Sequence, residues 1–320
     1  MSASPVVSPP STGAAVATQL SAAELKRSIV QFVSAASTEI STHDEDHLPA
    51  LMQELAVGTT VYVAHTPKAA LEDVVRVALK LQSAGMHASP HIVARRIASR
   101  EALRAALAQL RAGGVEQVLL VAGDLSAPAG RFASTLDVLA TGCLEESGIL
   151  RAGIAGHPEG NNSIDPAMLW QALAHKQAYA QRTGVKLHIV TQFSFDPQAI
   201  CAWDRSLATH GICLPVHVGI AGPTPLPKLI KFAVQCGVGA SLRSVMKNMS
   251  MMSKMAHLAT SPDEMLVGLI RGRSASGDMQ LCQPHFFAFG GVLATAQWLR
   301  MVREGRFDLP PDGGKFVRTA

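Results

Sequence analysis

The sequence predicts an α/β fold, a (β/α)8 barrel of the TIM barrel type, and three observations carry that expectation. Eight short apolar runs alternate with longer stretches in which apolar residues recur three and four apart. The helix-like stretches repeatedly stop at a glycine just before the next run. The chain has 320 residues, 48% of them hydrophobic, enough for the core of one large domain and the right length for eight such units. An open doubly wound sheet is the competing architecture. It calls for a GxGxxG turn after its first strand, and no such turn occurs.

In chain order the expected strands are QFVSAASTEI (31–40), TTVYVAH (59–65), ASPHIVA (88–94), EQVLLVAG (116–123), RAGIAGH (151–157), KLHIVTQF (186–193), PVHVGI (215–220) and PHFFAF (284–289). Between them, ALEDVVRVALKLQSAG, SREALRAALAQLRAGG and AICAWDRSLATHG each carry one apolar stripe and end in glycine. Residues 1–22, rich in Ser, Pro and Ala, read as a disordered tail, residues 23–306 as one barrel domain, and residues 307–320 as a C-terminal tail.

Composition narrows the function classes. The net charge is +4, but Lys and Arg are scattered, so no nucleic-acid partner is expected. No apolar run reaches the roughly 18 residues that cross a bilayer, and no basic segment leads into a hydrophobic one at the start of the chain. The expectation is a cytoplasmic protein without a membrane partner, with self-association into a homo-oligomer left open. Five widely spaced cysteines with no CxxC pair read as reduced thiols.

In such a barrel the active site forms where strands end and loops begin. Around the predicted mouth stand Glu39, His65, His91, Asp124, His157 followed by Pro158 and Glu159, Gln192, a turn from Gly219 to Gly222, and Gly290 with Gly291. In LLVAGDLSAPAG the fourth strand delivers Asp124 into a loop, and Gly123 lets a ligand approach the backbone. A lone acid there is often a helix N-cap; the convergence of a second acid, three histidines and an amide at equivalent positions favours a site. His91, His157 and Asp124 could instead ligate a divalent metal, but no strand carries an HxH pair, and no metal is expected. HPEGNNSID (157–165) reads either as a phosphate- or ribose-contacting loop or as a polar turn before a helix. The methionines of SVMKNMSMMSKM (244–255) read as helix core.

The motifs STEIS, SPHIVA, AGDLSAP, AGHPEGN, VTQFSFD and VGIAGPTPLPKLIKFAVQCGVG, in this order over residues 30 to 300, resemble the methylenetetrahydrofolate reductase family. The resemblance implies a (β/α)8 oxidoreductase that interconverts 5,10-methylene- and 5-methyltetrahydrofolate, with NADH or NADPH as hydride partner. It makes Glu39 the acid that protonates N10, with a pKa expected to be raised by its apolar surroundings, and Asp124 the group that stabilises the iminium. Gln192 would read the pterin edge, Phe232 would stack on the aminobenzoate, and Phe287 and Phe289 would complete the folate pocket. His91, Gly123, Ala133, His157 and Lys176 fall at cofactor-contacting positions.

Members of the family that hold FAD carry an arginine, a threonine and a tyrosine where this chain has Ala122, Ala64 and His157, and an arginine at Gly291. The resemblance therefore implies FAD as a cofactor while these departures count against it, and direct hydride transfer from NADH to the folate is the alternative. The alternatives are a metal-dependent TIM-barrel hydrolase or lyase and a non-catalytic folate-binding protein.

Overall fold

The structure, a computed structural model, describes residues 20–235, 259–276, 279–310 and 314–319. Its centre is a closed barrel of parallel strands: β1 Ser37–Ser41, β2 Thr60–Ala64, β3 His87–Val93, β4 Gln117–Val121, β5 Arg151–Gly156, β6 Lys186–Thr191, β7 Val216–Ala221 and β8 Leu281–Phe287. The strands follow one another around the ring in chain order, and β8 closes on β1 through the pairs Ser37 with His285 and Thr38 with Phe286. The expected (β/α)8 architecture is the one observed.

The first predicted strand is misplaced at its start. Residues 31–34 belong to a helix, α1 Ala22–Ser34, and β1 begins at Ser37. The Ser21 side chain accepts from Glu24 N while the Glu24 carboxylate accepts from Ser21 N at 2.9 Å, a reciprocal cap that starts the helix. Leu25, Ile29, Phe32 and Val33 then form one buried stripe. The helix start lies inside the expected N-terminal tail; the rest of that tail, residues 1–19, and the methionine stretch 244–255 lie outside the described residues.

The expected C-terminal tail is instead docked. Phe307–Asp308 pairs antiparallel with Val317–Arg318. Phe316 stacks on Phe307 with ring centroids 4.4 Å apart and on Trp298 at 6.3 Å. Asp263 is nearly buried and accepts from Trp298 Nε1 at 3.0 Å and Phe316 N at 2.9 Å. Two aromatic side chains leaving water, with their polar neighbours satisfied, offset the entropy of ordering so short a segment.

The main core fills the shell between strands and helices. A second, smaller cluster of Tyr62, Leu119 and Val190 with Val121 lies within the barrel. Much of the rest of the interior is polar: residues on the same side of their strands as Tyr62 include Ser37, Glu39, Ser89, His91, Gln117, His188, His217 and His285. Gly153 makes room for them, because a Cβ there would meet Leu119 Cδ1 at 2.7 Å and His188 Nε2 at 3.0 Å.

Candidate active site

Glu39 stands on β1, next to its outer end. Its Oε2 is 3.2 Å from His91 Nε2 of β3 and 3.9 Å from His285 Nε2 of β8. The first contact lies off hydrogen-bond geometry and the second is beyond hydrogen-bond reach, so all three buried atoms lack a hydrogen-bond partner among the described residues. Unmade hydrogen bonds of this kind cost about 1–3 kcal/mol each, and three converging on one point mark a place where a ligand can supply the missing partners. Burial pushes the Glu39 carboxyl up, but the imidazoles of His285 and His91 outweigh it and hold the group down at about 2. The expected raised pKa is therefore corrected: the walls around Glu39 are imidazole, not apolar.

A polar column underlies this point. Ser37 Oγ is 3.0 Å from His285 Nδ1, both residues fully buried. A hydroxyl donating to Nδ1 leaves the ring proton on Nε2, the nitrogen that faces Glu39. Tyr62 packs its ring edge-on to His285 at 4.5 Å, and its hydroxyl is 3.0 Å from His188 Nε2. The Gln117 amide donates to Tyr62 Oη at 3.3 Å and to Ser89 Oγ at 3.2 Å. His188 stacks on His217 at 4.1 Å. Burial lowers the pKa of His188 to about 4 and of His217 to about 2, with His285 adding to both shifts and His188 to that of His217.

Asp124 has a different setting. It follows β4 on an exposed loop and pairs with Arg96, whose Nη2 is 2.7 Å from Oδ1 and whose Nη1 donates to Thr66 O at 2.8 Å. The hydrogen bond from Arg96 pulls the Asp124 pKa down. Arg95 straps the same loop, donating to Ala133 O at 2.9 Å and Leu125 O at 2.8 Å. Gly123 sits at φ +92° with its α-hydrogen side against Val93, where a Cβ would approach Cγ1 to 2.4 Å. Asp124 does not cap a helix: the following helix, Thr135–Leu139, is capped by Ser134 with Asp137, whose carboxylate also accepts from Ala133 N at 2.9 Å.

On the next side of the mouth, His157 follows β5 and lies near Lys176 of the helix Pro166–Thr183. Lys176 is 7% exposed, and burial alone lowers its pKa to about 8; burial and the neighbouring ammonium lower His157 to about 4. HPEGNNSID is a polar turn that ends in a cap, with Ser163 N donating to Asn161 Oδ1 at 2.9 Å and Ala167 N to Asp165 Oδ1 at 2.8 Å. Gln192 folds its amide oxygen back onto Phe193 N at 3.1 Å.

The third side is aromatic. Phe287 packs edge-on to His285 at 4.7 Å, Phe193 lies 5.8 Å from Phe287 and 4.9 Å from Phe289, and Phe232 stacks on Phe289 at 4.6 Å. Gly219 opens the space under Phe287, since a Cβ there would meet the ring at 2.7 Å.

The structure thus joins Glu39 and His91, and through His285 connects them to Phe287, Phe289 and Phe232. It does not assemble His91, His157 and Asp124 into a metal site: no group of three His, Cys, Asp or Glu side chains suited to a metal occurs among the described residues. Asp124 is taken up by Arg96 and His91 faces Glu39. The sequence reading missed Ser37, Tyr62, Arg96, His188, His217 and His285. Four of the six, Ser37, His188, His217 and His285, sit an even number of residues before a strand-end candidate, the parity of inward-facing positions.

No family model matches this chain. Two solved structures are similar to it: a dihydropteroate synthase from Thermus thermophilus, at 16% identity with a TM-score of 0.42, covering 82% of this chain and 91% of that one, and a provisionally assigned phosphonomutase from Burkholderia cenocepacia, at 11% identity with a TM-score of 0.47, covering 88% and 99%. The barrel assignment rests on the closed strand order itself. Among the described residues, no helix is long and apolar enough to cross a membrane.

Proposed function

We propose that this chain interconverts 5,10-methylene- and 5-methyltetrahydrofolate by hydride transfer, as a TIM-barrel oxidoreductase similar to the methylenetetrahydrofolate reductases. The observation that carries this reading is the unpartnered Glu39 Oε2 between two imidazoles, connected through His285 and Phe287 to an aromatic rim. That is a proton-handling group at the base of a platform for flat rings.

Reduction breaks the bond from the bridge carbon to N10, places a proton on N10, leaves a cationic iminium at N5, and adds hydride to that carbon while NAD(P)H becomes NAD(P)+. Glu39 is ionised at neutral pH in the free protein, so it takes up a proton from solvent as the substrate enters and then passes that proton to N10. A pterin lying over the carboxylate adds desolvation, which raises its pKa toward that of a working acid. Asp124, anionic and exposed, carries the sign that stabilises the iminium. Gln192 and Phe232 take the pterin edge and the aminobenzoate.

Lys176, a buried ammonium whose only resolved influence is desolvation, fits the phosphate of a nicotinamide dinucleotide. FAD fits poorly. Ala64 and Ala122 offer only methyl groups where flavin-holding members place polar side chains, Gly291 offers none, and the Ala122 carbonyl is spent on Arg95 N at 3.0 Å. No step is assigned to it.

The reading is tested by calorimetry with 5-methyltetrahydrofolate and by the visible spectrum of the purified protein. A colourless protein that binds the folate and oxidises NAD(P)H with methylenetetrahydrofolate is expected. Binding without turnover would leave a folate-binding protein, and no folate binding would remove the reading.

A further inference from the structure

We infer that His65, Thr66 and Arg96 form the subsite for the nicotinamide carboxamide, so that the hydride donor is selected and oriented by its amide group. This inference rests on the hydride-transfer reading above and names the residues that would hold the donor's reacting ring. His65 and Thr66 follow β2, and Arg96 closes the single turn Ala94–Arg96 that follows β3. Three of their side-chain atoms, His65 Nδ1, Thr66 Oγ1 and Arg96 Nε, are buried without a hydrogen-bond partner among the described residues. Buried polar atoms left in this way call for a partner from outside the chain. The three residues are neighbours: Arg96 Nη1 donates to Thr66 O at 2.8 Å, and the charges of Arg96 and His91 both act on the His65 ring. They adjoin His91, which faces Glu39, and Asp124, whose Oδ1 is 2.7 Å from Arg96 Nη2.

The chemistry of the three atoms selects the ligand. His65 Nε2 is 3.0 Å from Ala69 O, and a carbonyl only accepts, so Nε2 carries the ring proton and Nδ1 offers a lone pair. Burial lowers the His65 pKa, and the Arg96 and His91 charges act in the same direction, which keeps the ring in that neutral form at pH 7. Arg96 Nε can only donate, and the Thr66 hydroxyl can do either. One lone pair beside such donors complements a primary carboxamide, whose N–H meets Nδ1 while its oxygen accepts from Arg96 and Thr66. A phosphate or carboxylate would instead set its charge against the Nδ1 lone pair, and Asp124 already balances Arg96. The pterin's own amide edge is assigned to Gln192, which follows β6, across the ring from β2. Lys176, assigned to the dinucleotide phosphate, belongs to the helix after β5, on the same half of the ring as β2 and β3.

The test is calorimetry of the full chain, without folate, with NADH, NADPH and their reduced 3-acetylpyridine analogues, which keep the carbonyl and replace the amide nitrogen by a methyl group. It is repeated on His65→Leu, which removes the acceptor, and on His65→Asn, whose amide oxygen falls near the place of Nδ1. Both variants lose the bond to Ala69, so the pair separates the acceptor from the loop contact, and circular dichroism checks that they fold. The wild type should bind the better natural dinucleotide roughly 30-fold more tightly than its acetylpyridine analogue, which leaves Nδ1 unpaired. His65→Leu should bind the two within about 3-fold of each other, and His65→Asn should restore most of the preference. Affinity for 5-methyltetrahydrofolate should stay within about 2-fold in both variants. A wild type without preference, a His65→Leu that keeps it, or a His65→Asn as indifferent as His65→Leu overturns the inference and leaves the hydride-transfer reading standing. So does a His65→Leu that loses folate as strongly as it loses the dinucleotide. A wild type that binds neither natural dinucleotide removes both.

Discussion

Glu39 and Asp124 are both carboxylates at strand ends of one barrel, and both have lowered pKa values for opposite structural reasons. Glu39 is 18% exposed in its side chain, makes no hydrogen bond through Oε2 among the described residues, and is held ionised by the neighbouring imidazoles of His285 and His91. Asp124 is 67% exposed and is held by Arg96, a group that never gives up its charge. The first arrangement can exchange a proton with whatever enters the mouth; the second supplies a fixed negative charge. Residue type is shared, and the partner decides the chemistry.

The sharpest way to break this contrast is at Glu39. Glu39→Gln keeps the shape but removes the proton-transferring group, so turnover of methylenetetrahydrofolate should fall by roughly 100-fold or more. Folate affinity should move much less, because the lost interaction belongs to the transition state. A variant that turns over at the wild-type rate, read in steady-state assays, would assign the proton to another group.

The column beneath Glu39 makes a prediction about acid. His188 and His217 titrate at about 4 and about 2 in the folded protein, against about 6.5 in an unfolded chain. From pH 6.5 downward the unfolded chain takes up protons that the folded one refuses, so stability is full above that pH and is lost as the pH falls. Each histidine should contribute on the order of 1–2 kcal/mol of loss between pH 7 and 5. Glu39, lowered from 4.5 to about 2, adds its own loss below about pH 4.5, with the same sign. Urea midpoints at pH 7 and 5 check this, and His217→Gln should flatten the dependence; a midpoint independent of pH would mean that the histidines are charged or hydrated.

On the other side of the comparison, Arg96→Met removes the partner of Asp124 and should lower kcat/KM by about 10-fold, the scale of one charge-assisted hydrogen bond. Glu39-dependent proton transfer should keep its pH profile. A shifted profile would show that the two carboxylates are coupled. The smallest effect is expected at Ser37→Ala, which frees the His285 ring from its hydroxyl and should cost about 1 kcal/mol of stability, measured by thermal melting.

The barrel was legible because its signals are periodic: eight apolar runs and glycine-terminated helices need only local spacing to be read. The errors fell where local spacing was overruled. QFVS at 31–34 is apolar enough for a strand, but the Ser21–Glu24 cap sets the helix frame first. The C-terminal FDL and KFV look too short to order, yet Trp298 and Asp263 from distant helices hold them. Glu39, His91 and Phe232 were visible as strand-end and motif residues. Ser37, His188, His217 and His285 were not, because a polar residue inside a hydrophobic strand reads as noise until closure of the ring brings it beside others of its kind. The direction of the Glu39 pKa was missed for the same reason: it depends on His91 and His285, which lie two strands away on one side and across the barrel seam on the other.

The central claim, direct hydride transfer to a folate bridge carbon at a mouth built around Glu39, is tested most directly by following an isotope. The purified protein is incubated with methylenetetrahydrofolate and nicotinamide dinucleotide deuterated at the transferring position of C4, and the folate product is examined by mass spectrometry and NMR. The account predicts one deuterium in the N5 methyl group, formed by a protein without flavin absorbance and lost with Glu39→Gln. No labelled methyl product, or labelled product formed equally well by Glu39→Gln, would contradict it.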